Sequence, residues 1–195
     1  FFVTDGKGTV ATVELEKIDK QCVVRTLEKD IKANTNPEIH LYVAPTKNSD
    51  RTEWLVEKVV EMGICSIHFI QCKNSERVHL KSERILRVAV TAMKQSVQYH
   101  LPEFYFDVPF AQAWNKAIGM KCLAHCATGE KHQLSQIKSH ENQLSLFIGP
   151  EGDFAPEEIE LAANGTALTL GDKRLRTETA AMKVVVQAHT YFENK

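Results

Sequence analysis

The sequence predicts an α/β fold with a mostly parallel sheet covered on both faces, preceded by part of a small β domain. Three observations carry that expectation. From residue 39 onward, short apolar runs alternate with helical patterns, as in strand–helix–strand units. Before that, residues 3–26 carry a hairpin signal and apolar alternation without a helical period. Between the two, Lys32-Ala33-Asn34-Thr35-Asn36-Pro37 is polar and ends in Pro, which reads as a linker. The boundary divides residues 1–36 from residues 37–195, and the first part is too short for a core of its own.

Each element has its own signal. Asp5-Gly6-Lys7-Gly8 is a hairpin turn, followed by apolar positions at Val10, Val13, Leu15 and Cys22 to Val24. Residues 39–43 form a strand. Asp50 and Glu53 have capping-box spacing, which opens a helix running to Met62 and stopped by Gly63. A strand over 64–70 and a long helix over 81–99 follow, then a short helix over 110–118 ended by Gly119. Strands are expected at 121–125 and 144–148. Pro156-Glu157-Glu158 opens a short helix, with Pro in the first turn and carboxylates at the positive end of the dipole. The last strand covers 166–170 and the last helix 177–192.

Composition excludes several classes. Hydrophobic residues are 43% and charged residues 25% of the 195, the balance of an ordinary globular protein. No apolar run approaches the roughly 20 residues of a transmembrane helix, and no signal peptide is visible. The five cysteines show no repeated spacing, which fits reduced thiols in a cytoplasm. The chain starts at Phe1-Phe2-Val3 without Met, so it reads as a piece whose first residues lie upstream. With a net charge of −1, any nucleic-acid surface must come from local clustering. Such a cluster exists between residues 71 and 100, where Lys73, Arg77, Lys81, Arg84, Arg87 and Lys94 outnumber Glu76 and Glu83, a local net of +4. At helical spacing Arg84, Arg87, Thr91, Lys94 and Gln98 share one face, which reads as a solvated surface or as a phosphate-binding one. Cys122, His125 and Cys126 lack a fourth ligand and alternate across a strand, so no metal is expected. Trp54 and Trp114 read as packing residues.

Two loops carry the chemistry, each placed after a buried strand, where open α/β sheets bind ligands. In Gly149-Pro150-Glu151-Gly152-Asp153 the glycines allow close backbone approach, although the spacing fits a tight turn into the next helix equally well. In Gly171-Asp172-Lys173-Arg174-Leu175-Arg176 three basic residues crowd one loop, and Thr177 offers an N-cap hydroxyl. Glu178 in the first turn complements the helix dipole, with Arg176 as its partner.

These loops resemble a known family. LFIGPEGDF at 146–154 with LTLGDKRLRTETAAM at 168–182 is similar to the paired signature of the RsmE family. These are SPOUT-class methyltransferases that modify N3 of a uridine in 16S ribosomal RNA of the small subunit. DRTEWLVEKVVEMGI at 50–64 and AMKQSVQYHLP at 92–102 resemble two further stretches of that family. The likeness spans roughly residues 38 to 192.

The resemblance implies a trefoil knot, a homodimer, and S-adenosyl-L-methionine held between three loops near 124–129, 148–152 and 170–176. Ala124, His125, Ile148, Gly149, Glu151, Gly152, Leu170, Gly171, Arg174 and Leu175 would bind the cofactor. Residues 1–36 would be the end of a PUA-like RNA-binding domain, and Arg51, Arg84, Arg87, Lys94 and Gln95 would face RNA. Arg176 would stabilise charge as uridine N3 loses its proton, with Glu178 orienting it or accepting the proton. Three departures stand out: Asp153 in place of the family's usual second glycine, Lys173 where Arg is common, and Arg174 where an aliphatic residue is usual. A knotted ribose 2′-O-methyltransferase and a non-catalytic RNA-binding relative are the alternative readings.

Overall fold

Alternation in the first part builds the sheet it predicts. The computed structural model describes residues 1–76, 79–137 and 140–194, so Arg77 of the basic stretch lies outside the described residues. Strands β1 (Phe2–Thr4), β2 (Thr9–Ile18) and β3 (Cys22–Ile31) form a separate antiparallel sheet. β3 runs beyond the expected end at residue 26, pairing Thr9 with Ile31. Asp5 sets the first turn by accepting the Lys7 and Thr9 N–H groups at 2.7 and 3.1 Å. The same turn docks the small sheet: the Gly8 N–H donates to the Tyr99 carbonyl (2.9 Å) and the Leu101 N–H to the Gly6 carbonyl (2.8 Å).

The second part is a six-stranded parallel sheet. Its strands are β4 (Glu38–Val43), β5 (Ser66–Gln71), β6 (Glu103–Pro109), β7 (Met120–Ala124), β8 (Gln143–Ile148) and β9 (Thr166–Leu168), in the order β6-β5-β4-β8-β7-β9. β6 has no counterpart in the sequence reading. Its Phe104, Phe106 and Val108 alternate with exposed residues, the pattern of an edge strand. The central strands send alternate residues to opposite faces. Ile39, Leu41, Val43, Leu144, Leu146 and Ile148 join one core cluster, and Tyr42 and Phe147 join the other.

Helices α1 (Ser49–Met62), α2 (Ser82–Gln95) and α5 (Thr177–Glu193) contribute to the first cluster. α3 (Phe110–Lys116) and α4 (Pro156–Leu161) lie by the second, where Phe110 and Trp114 are buried and Ile159 packs against it. Two local expectations are corrected. The cap of α1 is Asn48, whose side chain accepts the Asp50 N–H at 2.9 Å, while Glu53 pairs with Arg84 at 2.6 Å. α2 stops before residue 99, because Ser96 returns its hydroxyl to the Ala92 carbonyl and Val97 turns the chain at φ 57°. Val184, Val185 and Ala188 of α5 are fully buried within the chain, while Val186 is exposed.

One face of the large sheet carries four stacked rings, Phe147, Tyr42, His68 and Tyr105, with successive centroids 4.2, 4.1 and 4.3 Å apart. Burial lowers the His68 pKa to about 4 from 6.5. Between those values the unfolded chain binds the extra proton, so stability falls as pH drops from 6.5 toward 4. With screening at its half-buried edge, the effect is on the order of 2 kcal/mol at pH 4. His68→Phe keeps the stack and removes the titration. Urea melts at pH 7 and pH 4 should show the gap between the two narrowed by that amount, and an unchanged gap would place the acid sensitivity elsewhere.

Candidate active site

Parallel pairing of β7, β8 and β9 brings their carboxyl ends to one edge of the sheet, so the three following loops lie side by side. The loop after β8 is tightly braced. Thr177 donates its hydroxyl to the Gly149 carbonyl at 3.1 Å, tying the start of α5 to this loop. The N-cap of α5 is Arg176, so the expected capping role of Thr177 gives way to this tie. The Asn74 amide donates to the carbonyls of Gly152 and Asp153 at 3.2 and 3.1 Å. A Cβ on Gly149 would lie 3.0 Å from the Phe154 ring, so this glycine makes room for a buried phenyl group.

Asp153 sits at φ 63°, a conformation that Asp tolerates better than most residues. Its carboxylate accepts the Phe154 N–H at 2.9 Å and, across the gap between loops, the Cys126 N–H at 2.7 Å. In the loop after β9, Gly171 adopts φ 100° and the Lys183 ammonium donates to the Leu170 carbonyl at 2.7 Å. The loop after β7 is held by Lys131, which donates to the His125 carbonyl at 2.7 Å. Burial, reinforced by the nearby Lys131 charge, lowers the His125 pKa, and its Nδ1 is buried without a hydrogen-bond partner among the described residues.

The loops enclose two adjoining hollows. One, of about 300 Å³, lies between the loops after β7 and β9 and is lined by His125, Leu170 and Gly171. The other, of about 460 Å³, lies under the loop after β8 and is lined by Ile148, Gly149, Glu151, Gly152 and Arg176. Both are lined by Ala124, Arg174 and Leu175. All ten expected cofactor residues therefore border one hollow or the other. Asp172 and Ala180 of the second motif also line the first hollow, as does Lys131, which no sequence signal marks.

The catalytic pair is not assembled as expected. Arg176 is exposed at the rim of the second hollow and has no ion pair among the described residues. Glu178 is buried and pairs with Arg51, with Oε1 3.7 Å from Nη1 and Oε2 without a hydrogen-bond partner among the described residues. Residues two apart on a helix do not face each other. Glu178 accordingly turns inward toward α1 and lines neither hollow.

The basic face of α2 is also partly committed. Arg84 pairs with Glu53 and lies 3.7 Å from Asp50, and the Arg87 Nε donates to the Glu83 carbonyl at 3.3 Å. With Gln95 they line a groove of about 770 Å³ whose other wall holds Glu57, Lys58 and Glu61 of α1. Lys94 is exposed, whereas Gln98 leaves the basic face to donate to the Val60 and Glu61 carbonyls at 2.8 Å. Among the described residues no group of three or more His, Cys, Asp or Glu is placed to hold a metal ion, and no helix is long and apolar enough to cross a membrane.

The RNA methyltransferase domain family matches residues 34–189, most of the chain and all three loops. Ribosomal RNA small subunit methyltransferase E of Synechocystis sp. is 30% identical over 207 residues, covering 100% of this chain and 67% of its own. The chain belongs to the RsmE family of RNA methyltransferases. The Bacillus subtilis protein of the same name is 27% identical, covering 90% of this chain and 75% of its own. Among solved structures, a "probable rRNA-methyltransferase" from Porphyromonas gingivalis aligns with a TM-score of 0.91 at 32% identity, over 97% of this chain and 83% of that one. A Legionella pneumophila methyltransferase solved with bound cofactor SAM aligns at 0.86 and 26% identity, over 97% and 82%.

Proposed function

We propose that this chain transfers a methyl group from S-adenosyl-L-methionine to N3 of a uridine in 16S ribosomal RNA of the small subunit. The observation that carries the reading is the pair of adjoining hollows at the carboxyl ends of β7, β8 and β9, with an unpaired Arg176 at the rim. Their volumes lie in the range of small-molecule sites, roughly 300–1,000 Å³. Ala124, Leu170, Leu175 and Ala180 supply apolar walls for a flat ring, and the orphaned His125 Nδ1 offers a buried polar atom. This donor set fits an adenosine-bearing cofactor, and the SAM-bound Legionella relative supports the choice.

Bound S-adenosylmethionine supplies a methyl group already activated on a sulfonium. What remains for the protein is to align the acceptor and to stabilise charge as N3 gives up its proton. Arg176, at the rim of the second hollow and without an ion pair among the described residues, is placed to do so. Glu178, buried against Arg51, positions that arginine toward RNA. The same reading includes a trefoil knot. It also includes a PUA-like RNA-binding role for residues 1–36 beside a methyltransferase domain at 37–195, and a cytoplasmic setting. A homodimer completes it, with exposed Trp54 and Val186 as apolar surface for a partner copy. Light scattering at micromolar concentration should report the dimer, and a stable monomer would rule it out.

The test of function is methyl transfer to small-subunit particles lacking the modification, followed by digestion and mass analysis of nucleosides. N3-methyluridine is the expected product. A ribose-methylated nucleoside, or no transfer despite cofactor binding, would each overturn the assignment. For the RNA surface, Lys94→Ala should weaken binding and lower the salt slope by roughly 0.7–0.9. Arg84→Ala should change the slope less, because Glu53 already neutralises its guanidinium. Slopes unchanged from the natural chain in both variants would show that α2 is not the phosphate-binding face.

A further inference from the structure

Asp153 is the acidic side chain that joins two of the three loops. Its carboxylate takes the Cys126 N–H from the loop after β7 and the Phe154 N–H from its own loop, at 2.7 and 2.9 Å. It is half-buried, lines the second hollow, and is held in a left-handed backbone conformation at φ 63°. Glu151 of the same loop is exposed and turned aside, accepting the Lys47 N–H at 3.0 Å. Opposite Asp153, the third loop brings Arg174 and Arg176 to the same hollow, neither with an ion-pair partner among the described residues.

That arrangement poses an electrostatic problem for the proposed cofactor, on whose assignment this inference rests. The methyl donor carries a positive sulfonium, while the product of transfer, S-adenosylhomocysteine, is a neutral thioether. Two arginines beside the hollow disfavour the donor relative to the product. A fixed carboxylate on the opposing loop reverses the preference, and the effect is strongest where water is partly excluded.

The geometry points to Asp153 as a positioning and specificity-determining residue: it latches the second loop to the first and makes the cleft favour the cationic methyl donor over its neutral product. The latch and the charge are separable. Asn at this position matches the size, tolerates φ 63° and still offers an acceptor to the Cys126 N–H, but it carries no charge.

Calorimetry of the whole chain with S-adenosylmethionine and with S-adenosylhomocysteine tests this directly. In Asp153→Asn the donor should bind about tenfold more weakly while product affinity moves by less than about threefold. The natural chain's preference for the donor should shrink as salt rises, and that of the variant should not. Asp153→Gly, which suits the backbone conformation, removes latch and charge together. It should show the same lost preference with both affinities lowered. If Asp153→Asn leaves the donor-to-product ratio unchanged while Asp153→Gly weakens both ligands equally, Asp153 is only a latch and the charge argument fails. If neither variant changes either affinity, both parts fail. Failure of the natural chain to bind either compound would overturn the cofactor assignment itself, a result distinct from an unchanged ratio in a chain that binds both.

Discussion

In single-turnover methyl transfer with saturating cofactor and RNA, Arg176→Ala should react roughly 10²–10³-fold more slowly than the natural chain. That is the loss seen when one preorganised donor to a developing oxyanion is removed. Uridine N3–H is a weak acid, and its anion spreads charge onto the flanking carbonyl oxygens. A guanidinium matters there in the transition state more than in the ground state, so the rate should fall while binding holds. Arg176 is suited to this role because no carboxylate among the described residues claims it: Glu178 is turned toward Arg51 and Asp153 toward the Cys126 and Phe154 amides. Cofactor affinity should not fall, since Ala124, Leu170, Leu175 and Ala180 of the first hollow are untouched and one positive charge beside the sulfonium is removed. Lys at position 176 should restore part of the rate, keeping charge but losing the planar fork. A full rate for the Ala variant would put the catalytic cation elsewhere, and lost cofactor binding would make Arg176 structural.

The sheet was legible because parallel strands are buried on both faces and read as apolar runs, as residues 39–43 and 144–148 do. β6 escaped because its Glu103 to Pro109 stretch is polar at alternate positions and follows a helix whose expected end was too late. That end was misplaced by Val97, whose left-handed backbone has no signature in a β-branched residue. At the candidate site, the glycines and basic residues announced two loops, and all ten expected cofactor residues border the hollows. Side-chain partnerships were not legible. Whether Glu178 meets Arg176 or Arg51 depends on how α5 packs on α1, a contact between residues far apart in sequence. The role of Asp153 as a latch likewise needs the Cys126 amide, which β7 delivers only once the sheet is formed.

Gly149→Val should weaken S-adenosylmethionine binding by at least roughly a hundredfold, although no atom of the new side chain need enter the hollow. A Cβ at this position would lie 3.0 and 3.1 Å from the Phe154 ring and 3.3 Å from its backbone nitrogen. Phe154 has little room to retreat, being 4% exposed and packed with Phe110 at a centroid distance of 5.2 Å. Forcing a branched side chain against it costs roughly 1–3 kcal/mol of overpacking, which the loop relieves most readily by shifting. Any shift moves Asp153, next in sequence to Phe154, and with it the bond that draws the second loop toward Cys126. Cofactor affinity is thus lost through Phe154 and the latch. Two variants separate this route from direct filling of the hollow. Gly149→Ala should weaken binding by about tenfold, and adding Phe154→Leu should recover part of that loss by opening space behind the new methyl group. Thermal melts would confirm that each variant is folded. Unchanged affinity in Gly149→Val would show that the cofactor does not bind beneath this loop, while no recovery from Phe154→Leu would show that position 149 meets the ligand itself.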